Sequence, residues 1–311
     1  MPDHVLWFDD PECHRADIAG GKGASLARLR KAGLPVPPGF VVVADALGES
    51  LDRHGSRDEV AALAASFGDH DDSPRVAADL QSIVTAATLG DDLIAEVEEA
   101  YSALGEDAFV AVRSSACAED GEAASFAGQQ DTFLNVVGSD EVLDRIVRCW
   151  ASFFTERALF YRHRKGSLAD LGMAVAVQRQ IASDKSGVMF TTDPIRRRTD
   201  QMVIEAVLGL GESVVSGMVT PDNYVVRRDG RLKKAHVGNQ DKKIVRSDDG
   251  GTMTIDLNED VASAQVLDAE ELALLAAVGR QVEESFGSPQ DIEWAFEGSE
   301  LYVLQSRPIT A

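Results

Sequence analysis

The sequence predicts an α/β (α+β) chain of two lobes, a mixed helix-and-strand lobe over residues 1–170 and a strand-rich lobe over residues 171–311. Three observations lead there. A chain of 311 residues has room for two lobes and a large core. Alanine-rich, helix-periodic stretches dominate before Met173, and short apolar or alternating runs dominate after it. The last of those runs, residues 290–310 (QDIEWAFEGSELYVLQSRPIT), alternates on both sides of Gly298-Ser299, which is a hairpin signal.

Composition narrows the partners. Hydrophobic residues make up 44% of the chain, ordinary for a globular protein. The balance of 30 basic against 52 acidic residues, net −22, argues against a nucleic-acid or anionic-membrane surface. Any site for a polyanion must then be assembled from a few placed cations. Cys13, Cys117 and Cys149 are widely spaced and form no CxxC pattern, as expected of reduced thiols in a cytoplasmic protein. The histidines form no HExxH cluster. No apolar run approaches the ~18 residues of a membrane span, and the N-terminus MPDHVLWFDD lacks the features of a signal peptide. A soluble, cytoplasmic protein is expected.

The elements follow in order. Residues 18–40 (IAGGKGASLARLRKAGLPVPPGF) open with a glycine turn around Lys22, become helical from Ser25 with Leu26 and Leu29 on one face, and stop at Gly33. Pro35, Pro37 and Pro38 force an extended passage into a strand over 40–43. A glycine turn feeding a helix exposes N–H groups, and a lysine in it can add a charge for phosphate. A plain helix-entry turn has the same residues, and this is not the GxxxxGK[ST] loop. Residues 44–105 read as packing helices, clearest over 91–104, with loops around 68–74.

An apolar strand over 109–112 runs into Arg113-Ser114-Ser115, which puts a cation at a strand end. Gly128, Gln129, Gln130 and Thr132 then form either a loop that closes over phosphates or a polar connection to a strand over 132–137. Residues 139–165 read as one helix, N-capped by Ser139, with Val142, Ile146, Trp150, Phe153 and Phe154 on its apolar face. Arg157, Arg162, Arg164 and Lys165 at its end suit the helix dipole and read as structural.

Strands are expected over 173–181, 187–191, 202–207 and 224–228, with Asp229-Gly230 turning into 231–237. Gln178 either reads an adenine edge or caps a neighbouring strand. Glu205 interrupts an apolar strand, which suggests a bound hydroxyl or cation. Residues 209–212 make a second glycine turn, and an amphipathic helix over 268–287 leads to the closing hairpin. A loop over 298–300 would set Glu293 opposite Gln305 and Asp291 opposite Arg307, with Trp294 and Phe296 facing Leu304 and Tyr302. The polar face so formed suits either Mg²⁺ with its phosphates or plain solvent. With candidate phosphate groups in the first lobe and metal groups in the second, a nucleotide held between lobes is the expected arrangement.

Six segments then become recognisable together. GGKGASLARLRKAGLPVPPGF (20–40), VRSSACAED (112–120), SFAGQQDTFLNV (125–136), GVMFTTDP (187–194), GLGESVVSGMVTPDNYVV (209–226) and DIEWAFEGSELYVLQSRPIT (291–310) stand in that order. They resemble the ATP-binding domain of the family of phosphoenolpyruvate synthase, pyruvate phosphate dikinase and rifampin phosphotransferase, from about residue 17 to the end. In wording, Gly23 after Lys22 and the QSRPIT ending are nearer to rifampin phosphotransferase.

The resemblance implies an ATP-grasp-type fold binding ATP and Mg²⁺, and a dikinase reaction. One phosphoryl group would pass to a histidine on a swivelling domain, leaving AMP, and then to a small-molecule acceptor. By matching motif, Lys22 and Arg113 would contact the triphosphate as catalytic groups, Gly128 and Thr132 would contribute from the closing loop, and Gln178 would lie near the base. Glu293 and Gln305 would bind metal and phosphates, Arg307 phosphates, Asp291 would lie near the metal, and Glu205 would meet the nucleotide. The family's histidine lies beyond the QSRPIT motif. None of His4, His14, His54, His70, His163 or His236 sits in a matching motif, so the phosphohistidine domain or subunit and the acceptor domain are expected outside this sequence. A regulatory module without transfer, and a ligase forming an acyl phosphate, are the alternatives.

Overall fold

A computed structural model describes residues 4–68, 72–117, 131–166, 168, 170–196, 198–215, 217–247 and 251–309. The chain divides into two compact units, Met1–Ala27 with Pro38–Gln180, and Arg28–Pro37 with Ile181–Ala311. The division expected near residue 170 therefore falls after Gln180. The strand that begins at Met173 hydrogen-bonds into the first unit's sheet. The short segment around Pro35 belongs with the second unit, where Val303 N–H donates to Pro35 O at 2.9 Å and Arg28 lies 4.6 Å over the Phe286 ring.

The first unit contains β1 (Val5–Trp7), the start of α1 (Ala16–Lys31), β2 (Gly39–Val42), then α2 (Asp45–His54), α3 (Arg57–Ser66), α4 (Ser73–Ala86) and α5 (Asp91–Leu104). It continues with β3 (Val110–Ala116), β4 (Thr132–Val136), α6 (Ser139–Ser152), α7 (Glu156–Lys165) and β5 (Met173–Arg179). The strands form one antiparallel sheet in the order β1-β2-β5-β3-β4. Alternation puts Phe40, Val42, Val110, Val112, Met173, Val175 and Val177 on one face, and all are buried in a single core with α2 to α6. Trp150 of α6 is fully buried there, and its indole N–H donates to Met173 O at 3.1 Å.

The helix expected over 139–165 is two helices. Thr155 breaks it by capping α7, its hydroxyl accepting from Ala158 N–H at 3.3 Å, and Gly138 rather than Ser139 precedes α6. Arg162 is not a dipole partner at an exposed helix end. It is only 2% exposed, lies 3.7 Å over the Phe153 ring, and donates to the carbonyls of Phe153, Leu168 and Asp170, which braces the break.

The second unit contains β6 (Lys185–Phe190), β7 (Gln201–Leu208), α8 (Glu212–Val215), β8 (Asp222–Arg227) and β9 (Leu232–His236). After them come β10 (Lys242–Arg246), β11 (Thr252–Asp256), α9 (Glu259–Ala262), α10 (Ala269–Phe286), β12 (Gln290–Glu297) and β13 (Glu300–Pro308). A six-stranded antiparallel sheet runs β13-β12-β6-β7-β8-β9, and β10 pairs with β11 apart from it. Helix α10 starts at a capping box, with Asp268 accepting from Glu270 and Glu271 N–H groups at 2.9 Å, and ends at left-handed Gly287. Gly279 lets it approach the sheet: a Cβ there would lie 2.9 Å from Met189 Cε. The sheet face bearing Met189, Met202, Ile204, Tyr224 and Ile292 is buried.

The closing hairpin departs from expectation near its tip. Its loop is Gly298-Ser299 alone, with Glu297 opposite Glu300 and Gly298 at φ +59°, as primed two-residue turns require. Trp294 and Ala295 therefore face Val303 and Tyr302, and Phe296 faces Leu301, one step from the anticipated pairing. A β-bulge between Glu293 and Trp294 takes up the difference, so Glu293 faces Gln305 and Asp291 faces Arg307 as anticipated.

Candidate functional site

In the first unit, Lys22 and Arg113 are organised by one long-range junction. Helix α1 is interrupted at Gly20, where φ is +68° and a Cβ would stand 2.1 Å from Ser115 O. Only glycine permits both the conformation and the approach. Ser115 Oγ donates to Ala19 O at 2.9 Å and accepts from Gly23 N–H at 3.1 Å, so one hydroxyl closes both sides of the interruption. Lys22 Nζ donates to Ser114 O at 2.8 Å, beside Arg113. Arg113 is not at a strand end: β3 continues through Ala116, and Arg113 pairs with Ala176 on β5 and Thr132 on β4.

Gln178 lies on the same sheet face, opposite Ala111 and Gly39. It is 3% exposed, and its Nε2 has no hydrogen-bond partner among the described residues. A buried amide donor left unpaired costs about 1–3 kcal/mol, which a ligand acceptor would recover. The strand-cap alternative for Gln178 therefore has nothing to cap through this nitrogen. Thr132 is exposed on β4. Gly128 lies outside the described residues.

In the second unit, strand register assembles the acidic set. Asn223, Glu205, Val188, Glu293 and Gln305 are successive Cα partners across β8, β7, β6, β12 and β13, and all five are half-buried. Asp291 and Arg307 stand two residues further along the same face. Asn223 Nδ2 donates to Glu205 Oε1 at 3.4 Å. Arg307 donates through Nε to Asp291 Oδ2 at 2.8 Å, while Asp291 Oδ1 is buried with no hydrogen-bond partner among the described residues. Burial raises the Asp291 pKa, with Glu293's charge adding to the rise and Arg307 opposing it.

No cluster of three or more His, Cys, Asp or Glu side chains able to hold a metal occurs among the described residues. Mg²⁺ does not need one, because it takes one or two carboxylates and completes its shell with water and phosphate oxygens. Glu293, Gln305 and the unpartnered oxygen of Asp291 supply such a donor set, so the residues fit that ion.

Two further residues stand out. Ser115 was read only as a hydroxyl beside a cation, yet it holds the Gly20 interruption closed. Glu212, just after the second glycine turn, has a buried Oε1 without a partner among the described residues, and burial raises its pKa. Its only sequence signal was an acid following Gly209-Leu210-Gly211. The cysteines are unsuited to nucleophilic work: burial pushes the Cys13 thiol up to about 12 and the Cys117 thiol up to about 11.

A mixed helix-and-sheet protein whose two larger sheets each keep polar groups on one face is what these observations define. Residues 16–311 match the pyruvate phosphate dikinase AMP/ATP-binding domain, and the chain belongs to that family. It is 42% identical over 315 residues to a probable phosphoenolpyruvate synthase of Archaeoglobus fulgidus, covering 98% of this chain and 41% of that protein. A probable phosphoenolpyruvate synthase of Methanocaldococcus jannaschii is 41% identical, with 98% and 26% covered. Rifampicin phosphotransferase of Bacillus subtilis is 37% identical, with 100% and 36% covered. The chain thus spans about a quarter to under half of the length of these relatives. Among solved structures it is similar to D-alanyl-alanine synthetase A from Vibrio cholerae at a TM-score of 0.37 and 9% identity, covering 93% of this chain and 55% of that one. That likeness is too loose to bear on mechanism. Among the described residues no helix is long and apolar enough to cross a membrane.

Proposed function

We propose that the chain binds MgATP and is the phosphoryl-donating component of a dikinase-type phosphotransferase with an ATP-grasp-type fold. ATP is split to AMP, one of its two outer phosphoryl groups passing to a histidine on a partner domain or subunit and from there to a small-molecule acceptor, the other passing to water and leaving as inorganic phosphate. The observation that carries this reading is the row Glu205, Glu293 and Gln305 with Asp291 and Arg307 beside it, in a chain that belongs to an AMP/ATP-binding family. The relatives named phosphoenolpyruvate synthase and rifampicin phosphotransferase support transfer over simple binding.

Phosphoryl transfer asks the protein for positioning and charge neutralisation, not for a covalent step within this chain. Lys22, fixed at Ser114 O, and Arg113 are the proposed triphosphate cations, with Gly128 and Thr132 as further phosphate contacts. Gln178 offers its unpaired amide to the base. Glu205 contacts the nucleotide. Glu293, Gln305 and Asp291 would hold Mg²⁺, and Arg307 would take phosphate oxygens. Held there, Mg²⁺ would supply charge neutralisation for the phosphates. Free thiols and the absence of a nucleic-acid-type charge balance fit a cytoplasmic enzyme without nucleic-acid or membrane partners.

The test is product identification with MgATP, in the presence and absence of a polypeptide carrying the family's histidine domain. AMP together with a phosphorylated histidine is the expected result. ADP formed only with a carboxylate acceptor, or tight ATP binding without turnover in every condition, overturns it.

A further inference from the structure

We propose that the second unit carries a separate site for a small, multiply charged oxyanion, centred on Lys233 and Arg227. It lies in a cleft of about 400 Å³ where the start of β7, the end of β8 and the start of β9 meet. None of its residues is a nucleotide candidate, so it does not depend on the function proposed above.

The charge balance is local and unexpected. Arg198, Arg227, Arg228 and Lys233 line the cleft against Asp200 and Asp229, in a chain of net −22. Two of the cations are already committed. Arg228 makes two 3.0 Å bonds to Glu283 and one of 2.8 Å to Thr191 O, and Arg198 is bidentate to Asp200 at 2.9 and 2.7 Å.

The other two are held differently. Lys233 Nζ donates to Gln201 Oε1 at 2.8 Å, a neutral oxygen that fixes the ammonium without cancelling its charge. Gln201 is itself 2% exposed, and its Nε2 donates to Asp193 Oδ2 at 2.8 Å. Asp193 in turn accepts from the N–H groups of Ile195 and Arg196 at 3.1 and 2.9 Å. A buried chain of polar groups thus aims one lysine, which keeps two N–H donors for a ligand. A solvated surface charge needs no such support. Arg227 is the Cα partner of Gln201 in the β7–β8 pairing and is exposed, with only the charge of Asp229 acting on it at longer range. A guanidinium that can take two oxygens beside an ammonium that can take a third is suited to a tetrahedral or polycarboxylate anion.

The experiment is isothermal titration of the full chain with inorganic phosphate and, separately, citrate, without Mg²⁺ and at ionic strength held constant with sodium chloride. Saturable binding is expected, at least tenfold weaker in Lys233→Gln and in Arg227→Gln, retained in Lys233→Arg, and unchanged in Lys22→Ala. The tighter of the two probes tells whether the ligand is of the phosphate or carboxylate class. Both substituted residues are exposed, and an unchanged melting temperature certifies the variants. No saturable binding in the wild type, equal affinity in Lys233→Gln, or loss confined to Lys22→Ala overturns the proposal.

Discussion

Each unit gives one face of an antiparallel sheet to helices and keeps polar candidates on the other, but the two hold those candidates by different means. In the first, Lys22 is placed by contacts across 92 residues of sequence, through Gly20, Ser114 and Ser115. In the second, Glu205, Glu293 and Gln305 are placed by strand register alone, with no long side-chain tether needed. A junction of the first kind fails at single points, where one added carbon finds backbone in its way. A register fails only when a strand shifts.

The largest expected effect is at the cations. Lys22→Ala and Arg113→Ala should each lower ATP-dependent transfer to a histidine-bearing partner by on the order of 10²–10³-fold, with circular dichroism and melting temperature unchanged. Wild-type rates in either variant would remove that residue from the mechanism. Gly20→Val tests the junction itself. A Cβ 2.1 Å from Ser115 O, on a backbone at φ +68°, should lower transfer with Lys22 and also cost more than ~1 kcal/mol in urea unfolding. If transfer survives while stability falls, the junction serves the fold and not Lys22.

On the register side, Glu293→Ala should weaken MgATP binding by roughly 10–100-fold and leave Mg²⁺-free ATP binding nearly unchanged. Equal losses with and without the ion would make Glu293 a general contact instead of a metal ligand. Gln178→Leu should weaken nucleotide binding while stability holds or rises by up to ~1 kcal/mol, since the substitution deletes a buried donor with no described partner.

The smallest effect is expected at the edge of the first sheet, just before β1. His4 is bonded to Glu96 and Glu49, each at 2.9 Å. Burial lowers its pKa, but the hydrogen bonds and charges of the two carboxylates outweigh that, and the net shift is upward from 6.5. The stabilisation is therefore complete below about pH 6.5 and lost as pH rises through the folded-state pKa. Urea melts from pH 5.5 to 9 should show wild type and His4→Gln converging toward the alkaline end. A constant difference across that range would contradict the charged pairing.

Much of this was legible in residues and their spacing. The 3.6-residue period over 91–104 gave α5 to the residue, and Gly287 and Asp268 marked the ends of α10. The cross-strand partners of Asp291 and Glu293 were also anticipated correctly, although through a loop one residue too long. What stayed hidden depended on contacts distant in sequence. Nothing local to residues 139–165 shows that Arg162 turns inward to brace a break, because carbonyls from Phe153 to Asp170 must first converge on it. The pair β10 and β11 was missed because β11 is exposed along its whole length and carries no burial alternation. Nothing in the sequence singles out Lys233, since its orienting partner Gln201 lies 32 positions away.

The bulge between Glu293 and Trp294 acts as a phase corrector for the closing hairpin. A tight turn fixes the count from the tip, and the extra residue Leu304 resets parity before the acidic positions are reached. Were Leu304 instead paired with Glu293 in an unbulged ladder, the strand would run half a period out of step, turning Gln305 and Arg307 to the face that α10 buries and bringing Ser306 outward. The tight tip and the pairing of the acidic positions are thereby reconciled by a single residue that has no cross-strand partner. Deleting Leu304 should therefore close the bulge and leave Gln305 opposite Glu293 and Arg307 opposite Asp291, so that MgATP binding survives the deletion.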